Sequence, residues 1–196
     1  MAIISNAQAA RRFIDAGQVN AQQLREILTD IIADDERAGS VIRRIRMLLK
    51  KELPHRDTLD LNEIAGETLS LVRSDLLYQG ITVETRFTPG LPPLCGDRVQ
   101  IQQVLLNLLL NASDSLSEMP SARRRLSLTT SAPDERSIEI SVADTGSGIP
   151  AERLEHIFEP FFSTKEKTTG IGLGLSIVHG IVQNHKGRTE VQSEQG

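Results

Sequence analysis

The pattern best suited to chemistry lies in QVLLNLLLNASDSL, residues 103–116. Gln100, Gln103, Asn107, Asn111, Asp114 and Glu118 recur at three- or four-residue spacing, so on a helix they share one face. Leu106 and Leu110 flank that face, which leaves apolar surface nearly all round and predicts a largely buried helix. Asparagine is a mediocre helix former, and a buried carboxamide without partners is costly. The stripe is either a solvated face that lacks the usual Lys, Glu and Arg, or a set of ligands. The helix alone leaves both readings open.

Two further stretches could complete a site. In VADTGSGIP, residues 142–150, a strand ends in Asp144, followed by Gly146 and Gly148. This is either an ordinary turn with the aspartate as a local cap, or a pocket mouth. In the second case the carboxylate accepts from an exocyclic amine and the glycines admit a planar base close to the backbone. In FEPFFSTKEKTTGIGLGLSIV, residues 158–178, Gly170, Gly172 and Gly174 directly precede a helix. Backbone amides at such a helix start form a natural anion site, and Lys165 can add positive charge against a phosphate. Phe158, Phe161 and Phe162, three of the five phenylalanines, would pin the ends of a mobile lid. The plainer reading is a flexible glycine loop over a core patch. The segment is not a dinucleotide fingerprint, because Ile177 stands where the third glycine belongs, and no G-x-x-x-x-G-K-[ST] loop occurs.

These residues need elements to position them. Residues 6–14 read as a short helix, 15–20 as a turn, and 20–51 as a long helix with an apolar seam near period 3.5. Two such helices make an antiparallel hairpin, and a dimeric four-helix bundle would cover its exposed stripe. ELPHRDT, residues 52–58, breaks the helix and reads as a hinge. Beyond it come a helix over 61–79, the strand ITVETRF, a Pro/Gly-rich loop over 88–96, and the asparagine helix over 99–117. The strands RLSLTTS and SIEISVAD follow, then a short helix over 150–157, a helix over 174–184 and the strand-like RTEVQ. The pattern predicts an α+β sandwich, with helices on one face of a largely antiparallel sheet.

Bulk properties narrow the function classes. The chain has 196 residues, 39% hydrophobic and 24% charged, which fits a globular protein. A net charge of −4 argues against nucleic acid and against an anionic membrane surface. The basic runs at Arg43, Arg44 and Arg46 and at Arg123–Arg125 are short and read as solvated surface. The single cysteine, Cys95, excludes an internal disulfide framework and suits the cytoplasm. No segment reaches the length of a membrane span, and no signal peptide opens the chain, although a longer parent protein could carry an anchor elsewhere.

Taken in order, the asparagine helix, D-T-G-S-G, F-E-P-F-F and G-I-G-L-G-L resemble the nucleotide-binding domain of sensor histidine kinases of two-component systems. That Bergerat-type domain belongs to the wider GHKL ATPases shared with gyrase, Hsp90 and MutL. GDRVQIQQVLLNLLLNASDSL and FEPFFSTK resemble the nitrogen-regulation and FixL-type subgroup. ISNAQAARRF and IIADDERAGSVIRRIRMLL resemble its dimerisation hairpin. The resemblance implies a dimerisation and phosphotransfer hairpin over 1–53, a linker over 54–59 and an ATP-binding catalytic domain over 60–196. It implies ATP and Mg²⁺ as cofactors. Asn111 would hold the metal, Asn107 would support the phosphate–metal end, and Asp114 would be among the ATP-binding residues. Asp144 would read adenine, and Gly146 and Gly148 would line the base pocket. Lys165, Gly170, Gly172, Leu173, Gly174 and Leu175 would hold the phosphates. The γ-phosphate would pass to a hairpin histidine and then to an aspartate on a response regulator receiver domain, within a homodimer.

The chain departs from the family in one respect that matters. The acceptor histidine and its acidic neighbour are absent from the hairpin: the four histidines are His55, His156, His179 and His185. No catalytic residue is therefore assigned, and the chain by itself is expected to bind Mg-ATP without phosphorylating itself. The resemblance also leads one to expect a further strand after RTEVQSEQG, so the chain reads as a fragment. HKG stands where the subgroup carries H-G-G. The rival readings are a GHKL-type ATPase that drives conformational change, and a docking module with a vestigial nucleotide site. Asn107 disfavours the first, since those ATPases carry an acidic base before the asparagine. The intact set of Asn111, Asp144 and the glycines disfavours the second.

Overall fold

A computed structural model describes residues 2–17, 20–32, 56–117, 119–162 and 172–195. The chain divides into two compact units, Met1–Glu52 and Leu53–Gly196. In the first unit, helix α1 (Ala2–Asp15) ends in a turn in which Gly17 adopts φ +65°, a conformation open to glycine. Helix α2 (21–32) starts at Asn20, whose side chain accepts from the Gln22 N–H at 2.9 Å. This is the expected helical hairpin. Ile4, Ile14, Leu28 and Ile32 are exposed on it. The rest of the long seam, and His55, lie outside the described residues.

The second unit is a two-layer α+β sandwich. Strand β1 (Asp57–Leu59) pairs antiparallel with β3 (Leu94–Gly96), so residues placed in the linker and in the Pro/Gly-rich loop form a small second sheet. Strands β2 (Thr82–Phe87), β4 (Arg125–Asp134) and β5 (Ser137–Asp144) form the main sheet in the order β2-β4-β5. The expectation of a largely antiparallel sheet holds for β4–β5 only; β2 and β4 run parallel. The reason is the connection. Between β2 and β4 the chain crosses over through a helix, and such a crossover returns the second strand in the direction of the first. One face of this sheet is apolar, with Leu126 and Leu128 fully buried, and Thr130 is buried beside them. The alternate residues Ser127, Thr129 and Ser131 are only partly covered, which is the signature of a one-sided sheet.

Two helices cover the apolar face, and a third packs on the second of them. Helix α3 (Leu61–Tyr78) starts at Asp60, whose carboxylate accepts from Asn62 and Glu63 N–H. It ends where Gly80 turns to φ +67° and the Ile81 N–H reaches back to the Leu76 carbonyl, a Schellman closure. Helix α4 (Arg98–Ser117) starts at Asp97, which accepts from Gln100 N–H at 3.1 Å. As expected it is largely buried. Leu105, Leu109 and Leu116 join the core between α3 and the sheet. Val104 packs instead with Val178 and Ile181 of helix α5 (Gly174–Asn184).

Two local expectations fail. Residues 150–157 form no α-helix: a 3₁₀ turn at Ala151–Arg153 continues in turns, because its N–H groups bond carbonyls three residues back rather than four. Residues 188–192 are not a strand, because they find no ladder partner; instead Thr189 bonds His179 through its hydroxyl. The basic run at 123–125 is also more than solvated surface. Arg124 donates to the carbonyls of Gln79 at 2.6 Å, Ser117 at 3.0 Å and Met119 at 2.8 Å, and so caps the C-terminal ends of both α3 and α4.

Candidate functional site

Helix α4 carries its polar face against the start of α5. Asn107 is buried, and its side-chain nitrogen has no hydrogen-bond partner among the described residues. An ideal Cβ on Gly174 would lie 3.4 Å from both amide atoms of Asn111 and 3.7 Å from the Asn107 oxygen. The two asparagines, one helical turn apart, therefore both face the first residue of α5. That helix start has no side-chain cap. Its first N–H groups have no intrahelical carbonyl to bond, and they add to the positive end of the helix dipole. An oxygen-rich anion suits such a corner, since it accepts from amides and completes a buried carboxamide.

Gly172 precedes the corner at φ +69°. A Cβ there would lie 2.6 Å from the Phe161 carbonyl carbon and the Phe162 oxygen, so the backbones touch and only glycine fits. The Phe161 N–H donates to the Gly172 carbonyl at 2.9 Å, tying the two flanks of 163–171 together. Phe158 lies against His179 of α5, with ring centroids 5.0 Å apart, and Phe162 lies near His156. Phe161 is exposed and does not pin the segment through its ring. Leu173 and Leu175 flank Gly174, half-buried. Lys165 and Gly170 lie outside the described residues.

The second end of the site is the loop after β5. Asp144 is exposed, and one of its carboxylate oxygens accepts from the Gly146 N–H at 2.8 Å. The Thr145 hydroxyl donates to the Arg123 carbonyl and accepts from the Arg125 N–H at 3.1 Å, which fixes the loop to the start of β4. Gly148 adopts φ +72° with the Glu194 carbonyl where its Cβ would be, and Ile149 N–H donates to Ser193 at 2.8 Å. The structure thus places Asn107, Asn111, Gly172 and Gly174 at one corner, and Asp144, Gly146 and Gly148 at the β5 end. Helix α4 links them, because Ser115 abuts Gly146. Asp114 is half-buried on α4 with its backbone carbonyl bonded by Ser117, and it is not part of the Asn107–Asn111–Gly174 contact. Ser115 was missed by sequence reasoning, because a serine one turn after an asparagine carries no signal until the opposing glycine is known.

The other histidines serve the framework. His185 donates from Nδ1 to the Ile181 carbonyl at 2.8 Å and accepts the Asp97 N–H on Nε2 at 3.1 Å, so α5 is bonded to the start of α4. His156 pairs with Glu159 at 2.8 Å, and that hydrogen bond raises its pKa. Among the described residues, no cluster of three or more His, Cys, Asp or Glu could hold a metal, and no helix is long and apolar enough to cross a membrane.

A sandwich with an anion corner at one helix start and a carboxylate–glycine loop at the other end defines a nucleotide-binding domain. Residues 96–196 match the family of histidine kinase-, DNA gyrase B- and HSP90-like ATPases, and the chain belongs to that family. A domain of this family implies ATP binding. The sensor histidine kinase TmoS of Ectopseudomonas mendocina is 33% identical over 193 residues, 98% of this chain and 20% of its own length. The sensor protein FixL of Bradyrhizobium diazoefficiens is 33% identical over 195 residues, 98% of this chain and 38% of its own. The chain therefore spans less than half of either relative. Among solved structures, the nucleotide-free catalytic domain of the histidine kinase ThkA superposes with a TM-score of 0.59 at 30% identity, over 67% of this chain and 82% of that one. ThkA in complex with the response regulator TrrA gives a TM-score of 0.62 at 25% identity, over 94% of this chain and 52% of that one.

Proposed function

We propose that this chain is the catalytic core of a two-component sensor histidine kinase that acts in the cytoplasm. It binds Mg-ATP and, in the whole protein, donates the γ-phosphate to a histidine on a helical hairpin. From there the group passes to an aspartate of a response regulator. Segment 1–53 serves as the dimerisation and phosphotransfer hairpin, 54–59 as the linker and 60–196 as the catalytic domain. The observation that carries this reading is the side-chain nitrogen of buried Asn107, which has no hydrogen-bond partner among the described residues, beside a helix start with no side-chain cap. A triphosphate held there accepts from both. Asn111 offers a neutral oxygen to Mg²⁺. Phosphate oxygens and water would supply the ion's other ligands, a set that suits magnesium. The ion, when bound, offsets phosphate charge. Lys165, Gly170, Gly172, Leu173, Gly174 and Leu175 hold the phosphates, and Asp114 lines the nucleotide site further along α4. Asp144 takes the adenine amino group between Gly146 and Gly148.

Homodimerisation is supported by the apolar residues exposed on α1 and α2. A response regulator partner is supported by the ThkA–TrrA complex. A purely hydrolytic ATPase would need an acidic base on α4 before Asn111, and Asn107 stands there instead. The test is incubation with γ-labelled ATP and Mg²⁺. The 196-residue chain should stay unlabelled by itself and should transfer acid-labile label to an added relative's hairpin that carries the histidine. Steady phosphate release with no label on that hairpin would favour the ATPase reading.

A further inference from the structure

Ser115 lies one turn beyond Asn111 on α4, half-buried, at the β5 end of the site. An ideal Cβ on Gly146 would sit 1.9 Å from the Ser115 hydroxyl oxygen and 2.6 Å from one Asp144 carboxylate oxygen. The hydroxyl and the carboxylate thus converge on the one point that Gly146 leaves empty. The hydroxyl makes no hydrogen bond among the described residues, whereas the facing Asp144 oxygen is occupied by the Gly146 N–H. A half-buried hydroxyl that bonds no described residue keeps its proton available to a ligand at this edge of the proposed nucleotide site.

We propose that Ser115 is a specificity-determining residue of the base pocket, whose hydroxyl donates to ring nitrogen N1 of adenine, directly or through one water. This rests on the reading of the Asp144 loop as the base pocket. The chemistry is complementary. Adenine offers a donor, the 6-amino group, beside an acceptor, N1; Asp144 is an acceptor and Ser115 a donor. A 6-oxo purine presents the reverse order, an acceptor beside an N–H, and meets the carboxylate with its carbonyl. Gly146 is then glycine for a reason beyond turn geometry, because any side chain there would displace the hydroxyl from the base edge.

The ligand that isolates this contact is 1-deaza-ATP, which keeps the 6-amino group and replaces N1 by C–H. Calorimetric titration of the full chain with Mg-ATP and Mg-1-deaza-ATP should show ATP preferred by about three- to tenfold, the worth of one ordinary hydrogen bond. Ser115→Ala should weaken ATP by a similar factor, leave 1-deaza-ATP unchanged and so abolish the preference. Equal affinity of the unaltered chain for both nucleotides would overturn the proposal without any variant. A preference that survives in Ser115→Ala would overturn it too. In both of these cases tight ATP binding would leave the nucleotide site standing, whereas failure of the unaltered chain to bind ATP would remove the site and the proposal together.

Discussion

Gly174 stands where any side chain would touch Asn111: a Cβ there would meet both atoms of the Asn111 amide at 3.4 Å. That is ordinary van der Waals contact, so alanine fits the apo fold, but it fills the corner that a phosphate would use. Gly174→Ala should leave thermal stability within about 1 kcal/mol, since alanine is the better helix former. It should weaken Mg-ATP at least tenfold in titration.

Gly172 responds differently. Its φ of +69° and the backbone of Phe161 and Phe162 at 2.6 Å leave no space for a Cβ. Gly172→Ala should cost about 1–3 kcal/mol in urea unfolding, and hydrogen exchange at the Phe161 amide should accelerate as its bond to Gly172 breaks.

Asp144→Asn retains an oxygen for the Gly146 N–H, so stability should change by less than about 1 kcal/mol. The affinity for ATP should fall, and the preference for ATP over GTP should shrink, because an amide can present either a donor or an acceptor to the base. Competition titrations with the two nucleotides measure both effects. Undiminished ATP binding would return attention to the docking-module reading.

His185 holds α5 to α4 through the Asp97 N–H and fills the space beside Gly96, where a Cβ would lie 2.9 Å from the ring. His185→Ala should cost about 1–3 kcal/mol by leaving the Asp97 N–H unsatisfied. Nucleotide affinity should fall with it, since α5 carries the phosphate corner. Urea unfolding and ATP titration are the two readouts.

The Glu159 hydrogen bond raises the His156 pKa. A raised folded-state value means that the contribution is present below the unfolded pKa of about 6.5 and fades as pH rises through the folded one. Both groups are half exposed or more, so solvent and salt keep the effect small. Glu159→Gln should lower the His156 pKa in an NMR titration. Any stability difference from the parent should be seen near pH 5–6 and vanish at alkaline pH.

Much of the scaffold is legible along the chain. The spacing of Leu105, Leu109 and Leu116 marks the buried side of α4, and alternation in RLSLTTS marks the covered side of β4. Asp60 and Asp97 announce helix starts, because their side chains bond N–H groups two or three residues on. Where the signal is weak, the sequence reading errs. Residues 150–157 look helical by composition but are too short and too poorly packed to hold α-helical bonds. Residues 188–192 alternate like a strand, yet alternation cannot supply a neighbouring strand to pair with.

Residue type and local spacing by themselves determine that α4 is buried, that it carries two asparagines one turn apart, and that glycine-rich loops follow β5 and precede α5. These depend on helical and strand periods, which neighbouring residues encode. Only the tertiary structure decides that Asn107 and Asn111 face Gly174, that Arg124 caps two helices, that β2 runs parallel to β4, and that Ser115 and Asp144 converge on Gly146. Each of these relations joins residues far apart in the chain. Packing of α4 between the sheet, α3 and α5 brings them together, and no period in the sequence records which side chain meets which.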